Sequence, residues 1–190
     1  MISFKEYLRE KEELENLVES AGNLKGLPKA IIKSIVSHDR NEGYGGENSE
    51  IKLFKKDAKQ SDLTAACKLT GGFVKPGEEG YRSKSRAELE AEANSKAHAG
   101  VLVKINGEWA FYARLAYYSN KYNLISDKGR VEKETYFRAR GKSWPSTTDE
   151  LTATDLSDYI NFKEDKVDIY LVTADVEREL KRQERAEVRG

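Results

Sequence analysis

His38 and Asp39 stand side by side where the sequence pattern ends a helix, an arrangement that could form half of an acid–base pair. The helix dipole favours a histidine there in any case, and no nucleophile or metal-ligand motif accompanies the two. The chain holds only one other histidine, His98, and one cysteine, Cys67. A single thiol makes neither an intramolecular disulfide nor a Cys-based zinc centre on its own, and two histidines leave little for a His-rich one. No metal and no cofactor is therefore expected. Cys67, among Ala65, Ala66 and Leu69, reads as a small buried hydrophobe, and His98 as a structural residue at a helix–strand junction. Gly43-Tyr44-Gly45-Gly46 could approach a phosphate, but it lacks the lysine of a P-loop and the spacing of a dinucleotide fingerprint. It reads as a flexible surface loop.

Binding chemistry is better represented. Residues 128–142 carry Lys128, Arg130, Lys133, Arg138, Arg140 and Lys142 against Glu132 and Glu134, with Tyr136, Phe137 and Trp144 interleaved or adjacent. Guanidinium groups beside aromatic rings suit phosphate contact and base stacking. Arg138 and Arg140, two apart on a strand, would point to one face and grip an anionic partner. The candidate binding set is Arg130, Tyr136, Arg138, Arg140, Lys142 and Trp144. Residues 149–168 are of opposite sign, seven acids against Lys163 and Lys166, so mutual neutralisation within the fold is the competing explanation.

The whole chain of 190 residues balances 33 basic against 33 acidic side chains, which argues against a polybasic nucleic-acid coat. No apolar run approaches the ~18–20 residues that cross a bilayer, so no membrane contact is expected. A lone cysteine suits a reducing compartment. Ten Tyr, six Phe and two Trp suffice to seed a core, and most lie within 101–170, where the packed centre is expected.

The elements that must carry these residues follow from periodicity and caps. Residues 3–19 form an amphipathic helix, with Ser3 and Glu6 as a capping box and Phe4, Tyr7, Leu8, Leu14, Leu17 and Val18 as its apolar stripe. Pro28 opens a second helix bearing Leu27, Ile31, Ile32, Ile35 and Val36. Ile51, Leu53 and Phe54 suggest a short strand, residues 61–69 a helix capped by Ser61, and residues 85–98 a helix with a Ser85–Glu88 capping box. Residues 70–84, rich in glycine and charge, read as mobile. From 101 the period changes to two. Val101, Val103 and Ile105 precede Asn106-Gly107, a strong hairpin signal. Trp109, Phe111, Ala113 and Leu115 alternate on the return strand. Further turns at Ser119-Asn120 and Asp127-Lys128-Gly129 extend an antiparallel meander over 101–137, with a loop at 138–150. A short helix at 153–161, capped by Thr154 or Asp155, a strand over Val167, Ile169, Leu171 and Val172, and a charged, solvent-exposed C-terminal helix at 174–188 complete the chain. Helices, then an antiparallel sheet, then a strand and helix make an α+β protein. Its parts are residues 1–19, a helical and loop-rich region 20–100, and a sheet core with charged helix 101–190, the last two forming one domain.

The opening residues carry a resemblance. Met1, Phe4, Glu6, Tyr7 and Leu8 match the short helical start of the capsid-targeting propeptides of internal head proteins in T-even-type tailed phages. Leu17-Val18-Glu19 followed by Ser20 resembles the glutamate-directed cleavage context of that family's head protease, which implies processing between Glu19 and Ser20. Several relatives are cut nearer residue 10, so this sequence departs in the position of the cut. The likeness covers about a tenth of the chain. Removing residues 1–19 would leave 30 basic and 27 acidic side chains, a balance compatible with storage beside packed DNA.

The resemblance implies a protein held inside the phage head and injected with the DNA into the host cytoplasm. There it would bind and inhibit a host defence protein, a nuclease or a toxin, with nucleic-acid contact as a further expectation. Such stoichiometric binding requires no catalytic constellation. The alternative is a non-packaged nucleic-acid-binding accessory protein whose N-terminal helix stays attached and packs on the domain. A further alternative is ADP-ribosyl transfer, which some injected proteins of the resembled group perform with an Arg, a Ser-Thr-Ser strand and a Glu-x-Glu turn. Arg138 and Arg140, Ser146-Thr147-Thr148 and Glu177-Arg178-Glu179 occur here in that order. Their spacing is too short at the first step, and the acidic pair falls in an expected helix.

Overall fold

The computed structural model describes residues 3–9, 11–12, 22–37, 44–74, 77–95, 97–116, 121–131 and 151–190. Residues 4–9 and 11–12 are helical. A 3-10 turn at Gly22–Leu24 precedes α1 (Lys29–Val36), β1 (Ile51–Lys55), α2 (Gln60–Lys68) and α3 (Arg86–Ser95). The meander β2 (His98–Ile105), β3 (Glu108–Ala116), β4 (Lys121–Ser126) and β5 (Gly129–Val131) follows. Then come α4 (Ala153–Ser157), β6 (Val167–Thr173) and α5 (Val176–Arg189). The strands form one six-stranded sheet in the order β1-β6-β2-β3-β4-β5, and every pairing between neighbouring strands is antiparallel. The fold is α+β, as the switch in hydrophobic period implies.

Local signals account for the ends of these elements. Asn106 and Gly107 take φ of 53° and 85°, the two positive values that a tight hairpin between twisted strands needs. The Ser85 hydroxyl accepts from the Glu88 amide at 3.3 Å while the Glu88 carboxylate takes the Ser85 amide at 2.9 Å, which starts α3. Two expected caps are corrected. Helix α2 starts from Lys59, whose amide donates to the Asp62 carboxylate at 2.8 Å, and Ser61 lies inside it. Helix α4 is capped by Thr152, whose hydroxyl accepts from the Asp155 amide at 3.1 Å, and it ends at Ser157. A threonine two residues earlier completes a better box, because Asp155 then sits at the third helical position and can reach back.

Helices cover both faces of the sheet. On one face Leu63, Ala66 and Cys67 of α2 and Leu156 of α4 meet Val101, Val103, Phe111, Ala113, Leu124, Ile169 and Leu171. On the other, Ile31, Ile32 and Ile35 of α1 and Leu89 and Ala93 of α3 meet Leu102, Tyr112, Ile125 and Val172. The core is therefore wider than the expected 101–170 segment, because the second layer draws on residues 24–36 and 89–93.

Two bulges decide which side chain faces which layer. Between His98 and Gly100 the register against β6 slips by one, which makes Ala99 the extra residue and turns it to the α1/α3 face. Between Val103 and Lys104 the register against β3 slips likewise at Ala110. Trp109 then packs against the α1/α3 core rather than sharing a face with Phe111, Ala113 and Leu115, so the expected unbroken alternation fails there. Gly100 sits where β3 leaves no room for a side chain on β2: a Cβ would lie 2.2 Å from the Ala113 carbonyl oxygen and 2.7 Å from Tyr112 Cε2.

Candidate binding surfaces

Of the expected binding set, Arg130 lies in β5. Its guanidinium is exposed and donates to Asn123 Oδ1 of β4 at 2.8 Å. Tyr136, Arg138, Arg140, Lys142 and Trp144 lie outside the described residues, as do Glu19, Ser20, His38 and Asp39. The residues that bracket the basic-aromatic stretch both attach to β4. Val131 pairs with Leu124, and Leu151 exchanges two 2.7 Å backbone hydrogen bonds with Tyr122.

The N-terminal helical segment caps itself. The Ser3 amide donates to Glu6 Oε2 at 2.8 Å and the Glu6 amide to Ser3 Oγ at 3.3 Å. Those bonds to Ser3 hold the Glu6 carboxyl below its ordinary range. The described part of its apolar stripe stays in solvent: Phe4, Tyr7 and Leu8 are 76%, 56% and 47% exposed.

Tyr44, Gly45 and Gly46, the described part of the glycine-rich segment, are not the flexible surface loop their composition suggests. They are buried and held by the start of α5. The Asp175 amide donates to the Tyr44 carbonyl at 3.1 Å. The Asp175 carboxylate, itself buried, accepts from the Arg178 amide at 3.0 Å, capping α5, and from the Asn48 amide at 3.1 Å. Arg178 donates to the Gly45 carbonyl at 2.6 Å. A Cβ on Gly46 would stand 2.3 Å from Asp175 Oδ2, so the close approach of backbone to carboxylate explains the glycine. A carboxylate already occupies this helix start, so the cradle serves the fold rather than a phosphate.

Nor does α5 simply face solvent, as its charge predicts. Glu179 and Gln183 are buried. Glu179 Oε1 pairs with Arg182 at 2.6 Å and accepts from Gln183 at 3.2 Å, while Gln183 Oε1 accepts the Lys84 amide at 2.7 Å. Burial pushes the Glu179 carboxyl up, and Arg182 only partly offsets this. Glu177 is ion-paired with Arg86. The Glu-x-Glu pair considered for ADP-ribosyl transfer thus lies on a helix, with one acid committed to Arg86 and the other buried.

A polar cleft of about 400 Å³ opens between β1, α3 and the start of α5. Its lining includes Glu50, Lys52, Arg86, Glu90, Asn94 and Glu177. Arg86 also pairs with Glu90 at 2.8 Å, and Lys52 donates to Asn94. His98 is buried in the sheet, with its Nδ1 atom unpartnered. Burial, and secondarily the Lys52 charge, lower it to about 4, so it is neutral at physiological pH. Cys67 is buried, and desolvation raises its thiol, which leaves little reactive thiolate. Among the described residues no group of three His, Cys, Asp or Glu side chains could hold a metal ion, and no helix is long and apolar enough to cross a membrane.

Sequence reasoning missed two features, each with a signal in retrospect. Asp175 followed by Glu177 and Glu179 in the first turn is a helix-start pattern, and IKLFKKDAK at 51–59 gathers lysines on one short strand and the turn after it. No family model, curated protein or solved structure matches this chain.

Proposed function

We propose that the chain is an internal head protein of a tailed phage, carried into the host with the DNA, that binds and inhibits a host defence factor such as a nuclease or a toxin. The observation that supports this reading is the N-terminal helical segment, which caps itself and keeps Phe4, Tyr7 and Leu8 off the body. A large apolar side chain left in water forgoes about 1.5–3 kcal/mol relative to full burial. A helix that belonged to the body, as in the accessory-protein alternative, would turn that face inward. A segment that serves docking during head assembly and is then removed has no such need. Once the segment is gone, the basic-aromatic stretch from Arg130 to Trp144 is the surface offered to the host protein.

The test is the intact mass and N-terminal sequence of the protein recovered from its natural particle. A start at Ser20, or after another nearby glutamate, is the expected result. A retained Met1 with no particle association overturns the reading. In host pull-downs, Arg138→Glu with Arg140→Glu should abolish capture of the partner while thermal melting stays nearly unchanged.

A further inference from the structure

The β1 end of the sheet carries a second charged surface, remote in sequence from the Arg130–Trp144 stretch. β1 is an edge strand, and it runs into the turn before α2 with Lys52, Lys55, Lys56 and Lys59 all exposed. Lys52 donates to Asn94, but Lys55, Lys56 and Lys59 have no ion-pair partner among the described residues. The acid within this run, Asp57, is already answered: Lys166 approaches it at 3.6 Å. Near α3 and α5, by contrast, Arg82, Lys84, Arg86 and Arg182 are each paired with an acid, as Arg82–Glu88, Lys84–Glu92, Arg86–Glu90 and Arg182–Glu179.

Beside this edge lies an aromatic pair. Leu53, 55% exposed, sits opposite Tyr170 of β6. The Tyr170 ring meets Trp109 edge-on at 4.9 Å between centroids. Lys104 Nζ stands 4.4 Å from the Trp109 ring centre and 5.8 Å from that of Tyr170. Both rings are half-buried, anchored in the α1/α3 core on one side and reachable from the other.

Edge lysines also guard a sheet against unwanted strand pairing, as does the register shift between Leu53 and Lys55. That shift makes β1 a poor template for an added peptide strand, which weighs against an acidic peptide as the occupant. It leaves the ammonium groups of Lys55, Lys56 and Lys59, unpaired among the described residues, to a partner that needs no backbone ladder. Ammonium groups with no ion pair among the described residues, on the strand next to that of Tyr170, together with half-exposed rings are the combination that tracks a phosphate backbone while stacking unpaired bases, and Asp168 is the acid beside Tyr170.

We propose that the lysine-bearing β1 edge, with the Lys104–Trp109–Tyr170 stack beside it, is a binding surface for single-stranded nucleic acid. Neutralising about four phosphates predicts a slope near −3 for log affinity against log salt, from ~0.7 per phosphate on single strands.

The test is fluorescence anisotropy of a labelled 20-nucleotide oligonucleotide with the full chain, from 50 to 300 mM NaCl. In a Trp144→Phe background, quenching of Trp109 reports contact with the stack. The edge variant is Lys55→Glu/Lys56→Glu/Lys59→Glu. The control, Lys25→Glu/Lys68→Glu/Lys181→Glu, makes the same change in net charge at exposed lysines elsewhere. Arg138→Glu/Arg140→Glu separates this surface from the one proposed for the host protein. The expected result is salt-dependent binding with Trp109 quenching, weakened at least tenfold by the edge variant and by neither of the others. Four results overturn the proposal: no binding at 50 mM NaCl, an edge variant that binds as well as the parent, a duplex bound as tightly as the single strand, or equal competition by polyglutamate.

Discussion

Replacing Asp175 by alanine should loosen the start of α5 and the 44–48 segment together. The carboxylate accepts the Arg178 amide at 3.0 Å and the Asn48 amide at 3.1 Å, and the Asn48 side-chain amide stands 3.4 Å from both of its oxygens. Loss of a helix N-cap costs about 1 kcal/mol, within a range of about 0.5–2. Stranding the Asn48 amide costs about 1 kcal/mol more, at the low end for an unpartnered donor because that residue is partly solvated. The variant should therefore lose about 1.5–3 kcal/mol. For a chain of this size that is a fall of roughly 3–12 °C in Tm. Urea unfolding followed by circular dichroism gives the free energy. Asp175→Asn keeps one acceptor oxygen and should lose about half as much. Native-state hydrogen exchange gives a second, local reading: the amides of Asn48 and Arg178 should exchange faster in Asp175→Ala, while those of Leu102 and Val103 in the central strand should change only as much as global stability does. A loss below about 0.5 kcal/mol, or exchange unchanged at Asn48, would refute the argument that one carboxylate joins the two segments.

Four further substitutions probe the core. Gly100→Ala should destabilise by at least about 2–3 kcal/mol in urea unfolding, because its Cβ would meet the Ala113 carbonyl at 2.2 Å and neither strand can move away; a loss under 1 kcal/mol contradicts this. Glu179→Gln should raise Tm at pH 7.5 and lose that advantage toward pH 4. Burial raises the Glu179 carboxyl above its unfolded value, so the stabilisation from its protonated form is full below the unfolded pKa and disappears as pH rises through the folded one; a lower Tm for the variant at pH 7.5 would mean that the Arg182 pair outweighs desolvation. Tyr112→Phe and Tyr122→Phe should differ in direction. The Tyr112 hydroxyl is buried without a partner and its removal should be neutral or stabilising, whereas the Tyr122 hydroxyl bonds Thr70 at 2.7 Å and the Cys67 carbonyl at 3.0 Å, and its loss should cost about 1–2 kcal/mol.

What the sequence made legible was whatever depends on neighbours in the chain. Asn106-Gly107 specifies its own hairpin, and Ser85 with Glu88 starts its own helix, because three or four residues contain the whole cause. The apolar stripe of α1 was readable for the same reason. The placement of β6 between β1 and β2 was not, since that pairing joins residues far apart and leaves no local mark. The bulges at Ala99 and Ala110 were also hidden, although the one at Ala110 decides that Trp109 and Phe111 face different layers. The inward face of α5 escaped notice because Glu179 and Gln183 read as solvent-facing by type, and only the Lys84 and Arg182 partners make their burial affordable. The expected binding residues beyond Arg130 lie outside the described residues, whereas the lysine edge became visible only when the topology showed β1 to be an outer strand.

The position of β6 also sets a timetable. Ile51 pairs with Val172, about 120 residues later. At roughly 5–20 residues per second on the ribosome, β1 waits about 6–24 s for the strand that will hold it. The β2–β5 meander needs no such delay, since each strand follows its partner through a short turn. The nascent chain therefore carries a formed hairpin array with an unfilled flank, while the isoleucines of α1 and the leucine of α3 lack part of their cover. The last strand and helix then complete both flank and cover in one step, a late closure of high contact order. Termination before residue 167 would release a chain with that flank still open, a ready substrate for chaperones and proteases.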